Sequence, residues 1–207
     1  MLSARDVVVP SEDWELFAES DESVQWRIAD GLAVNVLRLK GPSPIPVDAA
    51  EATALYTAES AYNGGLPIEV EVIETPAGQV LRSIFKYPIP NRPHGIMIVG
   101  IGLLAWEDVH VRVHVEAVEL GTTGTREALV FALEPEGFPI RNEQPIKVDS
   151  AEDLFEKMAE SHRQASANPS DDRKWDDKFP HHPLTRVRAH QQQILSAVSV
   201  NGMSPCG

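Results

Sequence analysis

The chain has 207 residues, 43% of them hydrophobic and 24% charged, and 18 Lys and Arg against 31 Asp and Glu give a formal net charge of −13. These proportions suit a globular domain large enough to bury a core, and they exclude wholesale disorder, collagen-like sequence and low-complexity fibres. The acidic excess argues against nucleic acid, since duplex binding needs clustered Lys and Arg, and against docking on anionic lipid. Most of that charge lies in residues 1–150, which hold 11 basic and 23 acidic side chains. No stretch approaches the roughly 18 to 20 apolar residues of a membrane span; the longest candidate, Gly95 to Trp106, is interrupted by Gly100 and Gly102. The N-terminus lacks the basic and apolar regions of a secretory signal, so a cytoplasmic protein is expected. The single cysteine, Cys206, leaves no intrachain disulfide and no Cys-based zinc site.

In chain order, Val24, Trp26 and Ile28 alternate with polar residues, Asp30-Gly31 follows, and Leu32, Val34 and Val36 resume the alternation. Asp-Gly between two such runs predicts a two-residue β-hairpin that opens the fold. Three prolines in Gly41 to Pro46 make a connector, because proline has no N–H for a sheet ladder. Asp48 to Tyr62 predicts a helix capped by Asp48, with Leu55 and Tyr62 on one face and a stop at Asn63-Gly64-Gly65. Four β-runs follow, Ile68 to Thr75, Gln79 to Tyr87, Gly95 to Ala105 and Val109 to Leu120, and their short loops imply an antiparallel meander. The third run is apolar on both faces, as an interior strand requires. Gly100 and Gly102 leave room on one of those faces for Trp14, Trp26, a helix or a ligand.

Arg126 to Leu133 favours a short helix, with a buried strand as the alternative. Glu134 to Lys147 reads as a surface loop, and Ser150 to Ala165 as a helix with a capping-box-like start. Residues 166–183 are too polar for a core, yet Trp175 and Phe179 are costly to expose, so they are expected to bury as an arm docks on the body. Pro183 begins a last amphipathic helix with Leu184, Val187, Gln191, Ile194 and Val198 in register. The fold class is therefore α+β: an antiparallel sheet with helices packed on it, residues 1–165 forming one domain and 166–207 an arm and helix packed on that domain.

In element order, residues 24 to 165 resemble the Mog1/PsbP-like folds, a group that includes Ran-binding, photosystem-associated and bacterial lipoprotein or effector-adaptor proteins. That resemblance is one of pattern and carries no diagnostic motif. It implies helices on the faces of a sheet and an accessory or binding role.

Candidate chemistry is sparse. His110 and His114 share a strand face about 13 Å apart at roughly 3.3 Å per residue, too far to chelate one ion. With Arg112 they form a polar face opposite Val111 and Val113. His181 and His182, held between prolines, point apart, and no spacing pattern supplies the further ligands that zinc needs. Gly121 to Arg126 has the makings of an anion nest, with Arg126 facing a phosphate or carboxylate, but lacks the Lys-Ser/Thr of a P-loop; Arg126 and Glu127 can equally pair with the arm. No nucleophile motif is present. The expectation is thus a non-enzymatic protein-binding or adaptor module whose acidic body suits a basic partner, with Trp175, Phe179, His181 and His182 docking the arm or a partner. The alternative is a small-molecule or anion-binding protein using His110, Arg112, His114 and Arg126. No cofactor and no metal are expected.

Overall fold

The computed structural model describes residues 2–29, 31–89, 92, 95–106, 108–119, 124–136, 138 and 168–201. The expected loop 139–147 and helix 150–165, the Gly121–Thr123 turn and Cys206 lie outside the described residues. Among the described residues, no helix is long and apolar enough to cross a membrane.

The fold is α+β. Seven strands form one antiparallel sheet in the order β2-β3-β4-β8-β7-β6-β5: β2 (Glu15–Glu19), β3 (Ser23–Ile28), β4 (Leu32–Lys40), β5 (Leu66–Thr75), β6 (Gly78–Pro88), β7 (Ile96–Ala105) and β8 (Val109–Val118). The four expected β-runs are all present as one meander. The hairpin at Asp30-Gly31 exists too, but Ile28 pairs with Leu32, so its loop has three residues, not two. Gly31 takes φ +73°, the left-handed geometry of a loop that ends in a bulge. A second correction is that this hairpin does not open the fold, because β2 precedes it and pairs with β3. Alternation failed to reveal β2 because all five of its residues are exposed.

α1 (Ala49–Tyr62) carries the chain from β4 to β5 across one sheet face. Asp48 caps it by accepting the Glu51 N–H at 2.8 Å. Its buried residues are Ala52, Tyr56 and Ser60, whereas Leu55 and Tyr62 are 46% and 92% exposed, so the expected Leu55/Tyr62 face is the wrong one. Tyr56 packs edge-to-face on Phe85 at 4.9 Å between centroids, which draws that side of the helix inward.

The opposite face belongs to α3 (Pro183–Ala197). Val187, Gln191 and Leu195 fill the space above Gly100 and Gly102, where an added Cβ would lie 2.9 Å from Val187 and 2.7 Å from Leu195. The glycines thus seat a helix. Leu184, Val187, Ile194 and Leu195 are all buried with Val111, Val113 and Val115 in the larger core cluster. Each such side chain contributes about 1.5 to 3 kcal/mol. Beyond α3, β9 (Ser199–Val200) pairs with β1 (Val7–Val8) and joins the two ends of the described chain. α2 (Thr125–Leu133) settles the helix-or-strand question in favour of helix.

Two short 3-10 helices, Pro169–Asp171 and Arg173–Lys178, form the arm. Trp175 and Phe179 are half-buried in it. Charge holds the arm. Arg126 and Arg188 both bind Asp176, at 3.0 and 2.8 Å, and Lys86 binds Asp171 at 2.8 Å. Arg188 continues to Glu69 at 2.7 Å, and Glu69 meets Arg82 at 3.1 Å beneath α3. Burial pushes the Glu69 carboxyl upward, but the Arg173 hydrogen bond and the Arg188 and Arg82 charges outweigh it and hold the group below the usual carboxylate range.

Candidate functional site

Three segments meet at one end of the sheet. β8 delivers Val118 and Glu119 as it leaves the ladder, with the Glu119 N–H donating to Ile96 O at 2.9 Å. The first turn of α2 adds Arg126 and Glu127, and the Phe179–Pro183 turn adds His182 as the N-cap of α3. Local sequence dictates each placement. Gly124, at φ +73°, turns the chain into α2 but has no side chain with which to cap it. Glu119 does so instead, its Oε1 accepting the Gly124 N–H at 2.8 Å. Pro183 fixes the first residue of α3, and His182 Nδ1 accepts the Leu184 N–H at 3.2 Å.

Between these segments lies a cavity of about 500 Å³. Val118, Phe179, Pro180 and Pro183 line it with apolar surface, while Glu119 and His182 supply converging polar groups. Glu127 stands beside them, so that one ligand-type atom from each of Glu119, Glu127 and His182 lies within 4.8 Å of the other two. Lys86 Nζ approaches Glu127 at 3.5 Å. His182 Nε2 and Glu127 Oε2 are shut off from solvent without a hydrogen-bond partner.

Burial, reinforced by the Arg126 and Lys86 charges, pushes the His182 imidazole down to about 3, so the ring is neutral at physiological pH. Burial also raises the Glu119 carboxyl; the Gly124 N–H opposes this and the Glu127 charge adds to it. The arrangement therefore holds a neutral imidazole beside two carboxylates, one of which retains a proton unusually well.

A metal would be held by Glu119, Glu127 and His182, and the donor types are suitable. The imidazole argues against it. Nδ1 accepts a backbone N–H, so the neutral ring carries its proton on Nε2 and neither nitrogen offers a free lone pair. A metal at Nε2 would require the other tautomer and the loss of the α3 cap. The residues do not fit a resident metal ion.

No protein-family model matches the chain. No curated protein matches it either. A solved structure from Bacteroides thetaiotaomicron VPI-5482 is similar at 11% identity and a TM-score of 0.35, over 56% of this chain and 39% of that one. So low a score carries no argument about fold or function.

Of the residues singled out in the sequence, Arg126, Phe179, His181 and His182 line this cavity, and His110, Arg112 and His114 do not. His110, Arg112 and His114 lie on the α1 side of the sheet, Arg112 opposite Leu103 and His114 opposite Ile101. Gly100 and Gly102 face the other way, under α3. His110 is buried, its Nδ1 3.1 Å from Gly41 O. Arg126 borders the cavity, yet its guanidinium donates to Ser170 O at 2.6 Å, Asp176 at 3.0 Å, Thr185 Oγ1 at 2.9 Å and Asp172 O at 3.0 Å. That leaves little of the fork for an anion. The Gly124 N–H, the other element of the supposed nest, is occupied by Glu119. His181 is exposed at the cavity rim, and Phe179 lies 5.6 Å below the Arg126 guanidinium.

Sequence reasoning missed Glu119, Glu127 and Lys86. One signal was available for Glu119: a carboxylate just ahead of a glycine-rich turn into a helix whose N-cap glycine has no capping side chain. No spacing pattern pointed to the neighbours of His182, because they come from a strand end and a helix start more than fifty residues earlier in the chain.

Proposed function

We propose that the chain is a small-molecule-binding protein whose ligand occupies the cavity between the end of β8, the start of α2 and the Phe179–Pro183 turn. One observation carries this reading: a cavity of about 500 Å³ with apolar walls that Glu119 and His182 also line. Concave, mainly apolar sites with a few fixed polar groups are the usual form of such pockets. Thr125 lines the cavity and is exposed, so Thr125→Trp would obstruct it without touching the polar groups. A ligand found by screening should raise the melting temperature saturably, by the equivalent of about 2.7 kcal/mol at a hundred times its Kd. Thr125→Trp should abolish that shift. A ligand whose stabilisation survives in Thr125→Trp binds elsewhere and removes the proposal.

A second reading, a basic protein partner, draws support from the sheet edge. Leu16 and Phe17 on β2 are 52% and 55% exposed in a stretch that also holds Glu12, Asp13, Glu15, Glu19, Asp21 and Glu22, with Arg27 over the Phe17 ring at 3.7 Å and Arg5 paired with Glu19 at 2.8 Å. Acidic side chains outnumber these two basic ones, and exposed apolar surface of net negative charge suits a partner of the opposite sign.

A further inference from the structure

β2 ends the seven-stranded sheet, so β3 pairs with one of its edges and no strand among the described residues pairs with the other. The free backbone groups of such an edge are a template for an added strand. A second copy of this chain is turned away by the bulge at Phe17 and by Glu15 and Glu19, which would face their own kind. A strand of opposite charge meets attraction at the same carboxylates.

The two faces of β2 offer different contacts. Cross-strand partners share a face, so Leu16 stands with Trp26 and Glu19 with Val24 on the side where Val24 enters the larger core. There a groove of about 290 Å³ is lined by Val7, Val8, Val9, Leu16, Val24 and Trp26. Val8 and Leu16 are 43% and 52% exposed along it. Arg5 and Glu19, which also line it, are paired with each other at 2.8 Å. The groove falls just short of the roughly 300 to 1,000 Å³ of small-molecule pockets and suits an aliphatic side chain. On the other face Glu15 lies opposite Arg27, whose guanidinium sits 3.7 Å from the Phe17 ring centroid. That ring is still 55% exposed, with room for a second cation. Glu12 and Asp13 just before the strand, and Glu22 just after it, have no ion pair among the described residues.

Side chains of an added strand alternate between these faces, so its apolar residues meet the groove and its basic residues meet Glu15 and Phe17. We propose, building on the reading of a basic partner, that β2 takes an extended segment of a partner protein as a further strand, with Lys or Arg alternating with Val, Ile or Leu. Main-chain hydrogen bonds supply the affinity and the alternating side chains the specificity.

The test uses the full chain and backbone amide NMR, titrated with a capped peptide of alternating Arg and Val, a block peptide of the same composition, the fully N-methylated alternating peptide and an alternating Glu and Val peptide. The Arg and Val peptide should shift the amides of residues 15–19 saturably and slow their hydrogen exchange, and raising salt from about 0.05 to 0.5 M should weaken it about tenfold. Glu15→Gln should weaken binding up to about fivefold, the equivalent of one cross-strand pair. Leu16→Ala, at an exposed position where the fold tolerates it, should weaken binding by a similar factor. Equal binding by the block or N-methylated peptide would overturn strand addition and leave a basic partner standing. Equal binding by the Glu and Val peptide, or no binding by any peptide at low salt, would overturn both. Concentration-dependent dimerisation of the chain alone, with the β2 amides protected, would give the edge to a second copy and overturn the proposal.

Discussion

His182 does two jobs with one ring: Nδ1 caps α3, and that bond fixes the tautomer with the proton on Nε2. Burial makes the neutral form a condition of the fold. The folded value, about 3, lies below the ordinary 6.5, so the stability tied to the neutral ring is fully present above pH 6.5 and is lost as pH falls from there toward 3. Glu119 runs the other way: its raised carboxyl favours the fold when protonated, and that contribution disappears as pH rises through the raised value. Glu69, held low, begins to weaken the fold only as pH drops below its ordinary 4.5. Between pH 6.5 and 4.5, therefore, His182 contributes a fall in stability of up to about 1.4 kcal/mol per pH unit, partly offset by Glu119. His182→Asn keeps a good N-cap and removes the titrating ring. Its melting temperature should decline less than the native chain's over that range; equal slopes would show that His182 titrates as an ordinary surface histidine.

Among the elements, α3 and the two glycines of β7 are fitted to each other. A Cβ at Gly100 would meet Val187 at 2.9 Å and the Gln191 amide at 3.1 Å. Neither neighbour yields easily: valine is β-branched, and Gln191 accepts from Arg82 Nε at 3.0 Å and donates to Ser83 O at 3.2 Å. At Gly102 the neighbour is the tip of Leu195, which has rotamer freedom. Gly100→Ala should therefore cost about 1 to 3 kcal/mol by overpacking and Gly102→Ala less, measured by urea unfolding. The reverse ranking would mean that Leu195, not the Gln191 layer, fixes the seat of the helix. At the far edge of the sheet, β2 is protected in a different manner. The register shifts between Leu16 and Ala18, and Glu15 and Glu19 flank the bulged Phe17, so a second copy pairing there would set like charges against each other.

For the whole molecule, the arm and α3 complete the core. Leu184, Val187, Ile194, Leu195 and Val198 belong to the same buried cluster as Val34, Val36, Val113 and Val115, and β9 pairs with β1. Ending the chain after residue 167 would uncover an entire sheet face and leave Arg82 and Lys86, both nearly fully buried, without Gln191 and Asp171. The five apolar side chains alone contribute about 7 to 15 kcal/mol of burial, against a typical total of about 5 to 15. The truncated chain should show no cooperative unfolding, whereas the full chain should unfold in one transition. A truncated chain with dispersed amide resonances and a sigmoidal melt would show that residues 1–167 fold alone.

The order of strands from Leu66 to Val118, the Asp48-capped helix and the register of the last helix were legible from sequence, because each depends on neighbours within a few residues. Alternation marks a strand, a capping side chain marks a helix start, and Leu184, Val187, Gln191 and Ile194 mark the face that α3 buries. The α+β class follows from those local signals. What they could not determine is which distant groups meet. Arg126 read as an anion ligand or as a partner of the arm, and the fold makes it an arm clamp, because Asp176 and the carbonyls of Ser170 and Asp172 reach it from about fifty residues away. Glu119 and Glu127 are unremarkable in sequence, and with His182 they acquire their chemistry from proximity and burial. Desolvation and through-space charge, the causes of the perturbed carboxyl and imidazole, depend on three-dimensional distance, and only the closing of α2 and the arm over the end of the sheet sets it.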